Sequence, residues 1–339
     1  GCTWFFAWRQ ERLVPGTLGV ENARRSATIA NNGHRYEEAI GFLDRGLIWA
    51  PLDWELYFIR ANSRLGLRQP AADALADFRR ARFLEPIALQ LPFEEGKSWL
   101  GLQPTYALSA WREAMRRRPD DPSALYAQMF PLADESDARV LARLGDFATG
   151  DPGLTITWLE NLPGKKFPAA LAEVRARDPA LTEFSPTQKT RLFTLWSDRE
   201  QLDELARAVQ EHPEWAEYAW PGLARWQAGK GAFADAWALV RQYARPPVLP
   251  EASSTLSIPQ LEQQLYANPG DYAVGYALYR AQTAAGKTED ALATIRHFTA
   301  RSDAPAYFYF LQAHAWAAQQ NWERAWRSWQ RYCEASGAR

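Results

Sequence analysis

Cysteine is almost absent from this 339-residue chain: there are two, Cys2 and Cys333, at opposite ends. That placement excludes a disulfide framework and a cysteine-based zinc site. Histidine is also sparse, and His34, His212, His297 and His314 are scattered, with no pair at a metal-ligand spacing on one helix. No excess charge of either sign exists, since 39 Lys and Arg stand against 40 Asp and Glu, a net charge of −1. A near-neutral chain lacks the field that holds a polyanion, which disfavours nucleic acid as a partner. Long hydrophobic runs are missing too, and the apolar stretch from Cys2 to Trp8 is too short to span a bilayer. No nucleophile elbow, phosphate-binding glycine loop or dinucleotide fingerprint appears, and Gly286-Lys287-Thr288 reads as a turn. The acidic pairs Glu94-Glu95 and Asp120-Asp121 lie near helix ends, where carboxylates are ordinary dipole partners, and Arg116 to Arg118 reads as a solvated helix end. The expectation is therefore no catalytic constellation, no cofactor and no metal.

Aromatic and small residues are present in quantity and in register. Hydrophobic residues make up 47% and aromatics 13%, with 16 tryptophans, so the chain has the apolar side chains that offset ordering entropy. Residues 36–51 carry Ala39, Leu43, Gly46 and Pro51; residues 71–86 carry Ala74, Phe78, Ala81 and Pro86; residues 104–119 carry Ala107, Trp111, Ala114 and Pro119. Steps of four and three keep the small, bulky and small positions on one helical face, and the proline ends the helix. Upstream of Ala74, the residues Trp54, Tyr57, Phe58, Ala61 and Leu65 share a face and predict a first helix that pairs with the second.

Pro51 to Pro86 is 35 residues and Pro86 to Pro119 is 33, close to the roughly 34-residue period of stacked two-helix hairpins. On these residues the chain resembles the tetratricopeptide repeat family. The resemblance continues at 231–243 (Phe233, Ala236), 286–298 (Ala291, Ile295, Phe298) and 320–332 (Trp322, Ala325, Trp329, Tyr332), and in degenerate form at 201–213. Trp322, Trp326 and Trp329 recur along one helix, where a core role is favoured over a sugar-stacking platform. The pattern fails between about 125 and 195, and the Pro- and Ser-rich stretch 244–260 reads as an extended connection. The expected fold is all-α, with helical hairpins stacked into a right-handed solenoid around an irregular middle. Its expected parts are a membrane-proximal or leader segment (1–20), an N-terminal array (21–124), an irregular helical region (125–200) and a C-terminal array (201–339).

In the repeat family the first helix of each hairpin lines a concave groove. Carried onto the matched units, that register implies a lining of Tyr218, Arg225, Tyr276, Arg280, Tyr307, Phe310 and His314. Such a groove suits a protein, a peptide or an extended glycan. The segments "GLIWAPLDWELYFIRA", "ADFRRARFLEP" and "ALSAWREAMRRRPDDP" also resemble the repeat region that follows the last membrane helix of bacterial O-antigen ligase or polymerase-like proteins. In that family the glycosyl chemistry belongs to the membrane portion. The aromatic cluster Trp4, Phe5, Phe6 and Trp8 before the polar run Arg9 to Arg12 agrees with attachment through a segment N-terminal to this chain. The resemblance thus implies a noncatalytic, extracytoplasmic or periplasmic, membrane-tethered binding domain. Two alternatives remain at this level: a free-standing periplasmic lipoprotein scaffold acylated at Cys2, and an enzyme with its site in 125–200.

Overall fold

A computed structural model describes residues 19–117, 119–251 and 256–337. The expectations for the N-terminal leader, Gly1 and Cys2 included, and for Arg118 lie outside the described residues. The described chain is all-α, with no strand, and divides into two units that meet in sequence at Leu162 and Pro163.

Unit 1 opens with three hairpins: α1 (Val20–Asn32) with α2 (Tyr36–Trp49), α3 (Trp54–Gly66) with α4 (Ala71–Leu84), and α5 (Gln90–Trp99) with α6 (Pro104–Arg116). The small-bulky-small faces expected from sequence are the buried faces. Ala39, Leu43, Ala74, Phe78, Ala81, Ala107, Trp111 and Ala114 are all inaccessible to solvent. Their small partners explain the spacing. A Cβ on Gly96 of α5 would collide with the Trp111 ring, so the missing side chain is what lets the tryptophan of the second helix lie flat on the first. Trp111 then donates its Nε1 proton to the carbonyl of Phe93 at 3.0 Å. Successive first helices are also laced by polar contacts: Ser63 Oγ donates to Asn31 Oδ1 at 3.0 Å, and Ser98 Oγ to Asn62 Oδ1 at 2.6 Å.

The hairpin turns share one backbone device. A residue in the left-handed region closes each of seven turns, at His34, Arg68, Gly101, Glu200, Gly231, Gly286 and Gln320, with φ between 56° and 79°. Glycine takes this conformation without a Cβ penalty and the other four take it at a cost. Gly286 confirms the reading of 286–288 as a turn.

Beyond the third hairpin the repeat loosens, as the sequence pattern implied. Helix α7 (Pro122–Ser136) is followed by the one-turn α8 (Ala138–Leu141), a 3-10 turn at Leu144–Phe147, and α9 (Pro152–Asn161), which packs back on α7. Tyr126 Oη ties this region together by donating to the Leu144 carbonyl at 2.6 Å.

Unit 2 contains α10 (Phe167–Arg177), α11 (Pro186–Asp198), α12 (Leu202–Glu211), and the hairpin α13 (Ala216–Gly229) with α14 (Phe233–Tyr243). After the nonhelical residues 244–251 come α15 (Ile258–Ala267), α16 (Tyr272–Ala284) with α17 (Thr288–Thr299), and α18 (Ala306–Ala318) with α19 (Trp322–Ser336). Here the order of packing departs from the order of sequence. Helix α14 packs against α19, the last helix, while α18 packs on α17 and α16 on α15. The final hairpin therefore sits between α13–α14 and α16–α17, and the array is folded back. The reason lies in α19 itself. Its Trp326, Trp329 and Tyr332 form an apolar face that is buried. Trp237 and Trp220 cover it, with ring centroids 6.5 Å and 6.3 Å from Trp329.

Candidate functional site

The fold-back builds a cleft of 730 Å3 in unit 2, walled by α11, α13 and α19. Phe193, Trp220, Pro221, Trp326 and Trp329 supply its apolar surface; Thr194, Ser197, Asp198, Arg225, Gln330 and Glu334 supply its polar groups. Gly222 is a condition of this geometry, because a Cβ there would stand 2.5 Å from Leu205 Cδ2 and 2.8 Å from Ser197 Oγ. Pro221, inside α13, lacks the N–H that would bond one turn back, and it turns its ring toward the cleft.

Charge is held at the mouth. Arg225 Nη1 donates to Ser197 Oγ at 3.3 Å and lies 3.5 Å from Asp198 Oδ1. Both ionic side chains remain partly exposed while Ser197 is buried, so the pair sits where a ligand's polar end would meet it. Cys333 also lines the cleft, but burial, reinforced by Glu334, pushes its thiol up to about 11. It stays protonated at neutral pH and is a wall atom, not an activated nucleophile.

The seven residues expected to line a groove divide between the cleft, the surface and one packed aromatic core that holds Tyr276, Tyr307 and Phe310. Arg225 alone is on the cleft. Tyr218 is half-buried beside Lys189, whose ammonium is 5.7 Å from the ring centroid. Tyr276, only 4% exposed, meets Tyr307 edge-on at 5.7 Å. Phe310, 8% exposed, packs against His314 at 4.5 Å, and His314 meets Trp237 at 5.2 Å. Arg280 is exposed on α16. Desolvation among its aromatic neighbours, aided by the positive charge of Arg241, lowers the His314 pKa, although the residue as a whole is exposed. The tryptophan wall of the cleft, by contrast, was not part of the expected lining. The signal for it was the aromatic face of 322–332.

Unit 1 carries a smaller groove of 380 Å3, lined by first helices α1, α3 and α5 and the turn before α5. Trp54, Phe58, Ile59 and Leu91 face it. Arg24 crosses its rim, 2.7 Å from Asp53, 2.9 Å from Glu21 and 2.5 Å from Glu55. Asp53 also caps α3 by accepting from the Glu55 N–H at 3.0 Å, so one carboxylate fixes both the helix start and the arginine. Behind the groove, Glu95 is 2% exposed; burial pushes its carboxyl up to about 7 although Arg82 Nε stands 3.1 Å away.

Among the described residues no three His, Cys, Asp or Glu side chains gather as a metal ion would require, and no helix is long and apolar enough to cross a membrane. No protein-family model matches the chain, and no curated protein matches it either. Among solved structures it is similar to the TPR domain of P58(IPK), at 14% identity and a TM-score of 0.26, over 93% of this chain and 92% of that one. It is also similar to Naa15/Naa10 bound to HypK-THB, at 12% identity and a TM-score of 0.26, over 91% of this chain and 62% of that one. Superpositions this loose carry no argument. The hairpin assignment rests on the chain's own turns and buried faces.

Proposed function

We propose that this chain is a noncatalytic helical-repeat binding module, and that its unit-2 cleft receives a protein segment. The observation that carries this reading is the cleft itself. A space of 730 Å3 with Trp220, Trp326 and Trp329 in its walls and the Arg225–Asp198 pair at its mouth combines rigid aromatic surface with a directional charge. Buried aromatic anchors with a polar rim are the pattern from which binding energy is drawn. The one thiol in the cleft, Cys333, is held protonated and is not an activated nucleophile.

The finer reading is that the module is the extracytoplasmic part of a membrane-tethered protein of cell-surface polysaccharide (O-antigen) assembly. The repeat spelling of 46–119 and the aromatic leader support it. It makes an extended glycan the competing ligand, which tryptophan faces would also accept. Titration separates the two. Peptides selected on the immobilised chain and O-antigen oligosaccharides are each titrated against wild type, Arg225→Ala and Trp329→Phe. The reading predicts saturable peptide binding that Arg225→Ala weakens about tenfold, the loss of one charge-assisted contact. Binding of the sugar alone would transfer the cleft to glycan, and equal affinity in all three proteins would remove the ligand from the cleft.

A further inference from the structure

The most exposed apolar side chains of unit 1 are not scattered. Ile48 is 73% exposed, Leu52 72%, Phe83 75% and Ile87 83%. In the repeat register Ile48 corresponds to Phe83, and Leu52 to Ile87, each 35 residues on. These are the same two places in successive hairpins, one at the end of the second helix and one just after the terminating proline (Pro51, Pro86). Trp49, 54% exposed, adjoins them. In the third hairpin the equivalent positions are Arg116 and Asp120, so the row ends in charge. A single exposed leucine needs no explanation, but a row repeated on the turn edge of two hairpins does.

Its flanks are basic. Arg45 and Arg80, 35 residues apart, are both exposed and lie over the rings of Phe42 and Phe83, with guanidinium carbons 5.1 Å and 6.0 Å from the centroids. The acids nearby are mostly engaged elsewhere: Asp44 is bound by Arg60 and Asp53 by Arg24, each at 2.7 Å, and Glu85 is half-buried in the turn before Ile87. The edge thus presents protruding aliphatic and aromatic side chains with cations beside them.

We infer that this edge, Ile48, Trp49, Leu52, Phe83 and Ile87 flanked by Arg45 and Arg80, docks on the surface of an anionic lipid bilayer. Apolar side chains enter the boundary between headgroups and acyl chains, and the guanidinium groups meet lipid phosphates. A second copy of the chain is a poorer occupant. An isologous contact through the same edge would press Arg45 and Arg80 against their own equivalents. The inference does not rest on the cleft, and either can fail without the other.

The test is co-sedimentation of the full chain with vesicles of phosphatidylcholine, with and without phosphatidylglycerol. Binding is expected to be about tenfold stronger on the anionic vesicles and to weaken as salt rises. Phe83→Ser/Ile87→Ser should lower binding to anionic vesicles by roughly tenfold or more, and Arg45→Glu/Arg80→Glu should abolish the preference for phosphatidylglycerol. All four side chains are exposed, so circular dichroism should show unchanged helicity. Absence of vesicle binding overturns the inference. So does binding that survives both double variants, which would place membrane attachment in another part of the chain. A dimer in sedimentation velocity that only Phe83→Ser/Ile87→Ser dissolves would assign the edge to self-association and equally overturn it.

Discussion

The two units use the same hairpin and build different things with it. In unit 1 the first three hairpins follow one another in space as they do in sequence, and their first helices converge on a narrow groove. In unit 2 the last hairpin inserts between α13–α14 and α16–α17, and the wider cleft opens where sequence-distant helices meet. The repeat motif therefore specifies the hairpin and its internal packing, while the order of stacking follows from which apolar faces remain to be covered. Unit 1 packs core aromatics such as Phe78 and Trp99, 5.8 Å apart, between sequence neighbours, while Phe83 and Trp49 stay exposed. Unit 2 places Trp326, Trp329 and Tyr332 on α19, where Trp220 of α13 and Trp237 of α14 cover Trp329.

The largest expected effect breaks each unit at its own aromatic anchor. Trp111→Ala should destabilise unit 1, and Trp329→Ala unit 2, by about 3–5 kcal/mol each. Each should lower only one of two thermal transitions in calorimetry, and a single shared transition shifting in both variants would merge the units energetically. Next in size is overpacking at a position with no room. Ala74 is fully buried between helices, and Ala74→Leu should cost about 1–3 kcal/mol. A melting curve equal to that of wild type would remove Ala74 from the interhelical contact and with it the register of unit 1.

Acid should drive the units in opposite directions. Glu95 has its pKa raised from 4.5 to about 7, so the folded unit 1 binds the proton more tightly than the unfolded chain. Its contribution is therefore favourable below pH 4.5 and is lost as pH rises through 7, by up to about 3 kcal/mol. His314 has its pKa lowered from 6.5, so unit 2 keeps the benefit of a neutral ring above that value and loses it as pH falls further. Melting between pH 7.5 and pH 5, monitored in Glu95→Gln and His314→Asn, checks both signs. The first substitution should flatten the rise of unit 1 on acidification, and the second should flatten the fall of unit 2.

The smallest effects come from the shared turns. Arg68→Gly in unit 1 and Gln320→Gly in unit 2 replace left-handed residues of φ 56° and 59°. Each should raise stability by about 0.5–1 kcal/mol, equally in the two units, because the same backbone device closes both hairpins. Unequal effects in a chemical denaturation series would show that the turns are held differently.

Most of the hairpins were legible because their signal is local. Ala39, Leu43 and Gly46, or Ala291, Ile295 and Phe298, lie within one helix and declare its buried face by spacing alone. Gly275 shows how far that reaches: a Cβ there would strike the Phe298 ring, so the sequence records the close approach of α16 and α17 from both sides. Stacking order is not local. Nothing in the spacing around Trp329 says whether Trp237 or a residue of α17 will cover it, and the register carried across from successive stacking placed in a groove residues such as Tyr276, Tyr307 and Phe310 that the structure packs into a core. Arg225 reached the cleft because it belongs to α13, next to the junction. Tyr276 and Phe310 went into the packing around it.

Helices α14 and α19, far apart in sequence, lie side by side. Ala234 and Glu323 are exposed and border one surface depression there. The direct measurement is cross-linking of Ala234→Cys/Glu323→Cys by a short bis-maleimide in a Cys2→Ser/Cys333→Ser background, followed by proteolysis and mass spectrometry. The folded-back array predicts an intramolecular link between the peptides bearing residues 234 and 323 in monomeric protein. Hairpins stacked in sequence order would separate those residues by a whole intervening hairpin, on the order of 20 Å at 8–10 Å per helix layer. Absence of that link, with residue 323 captured only by a cysteine introduced on α17, would contradict the account.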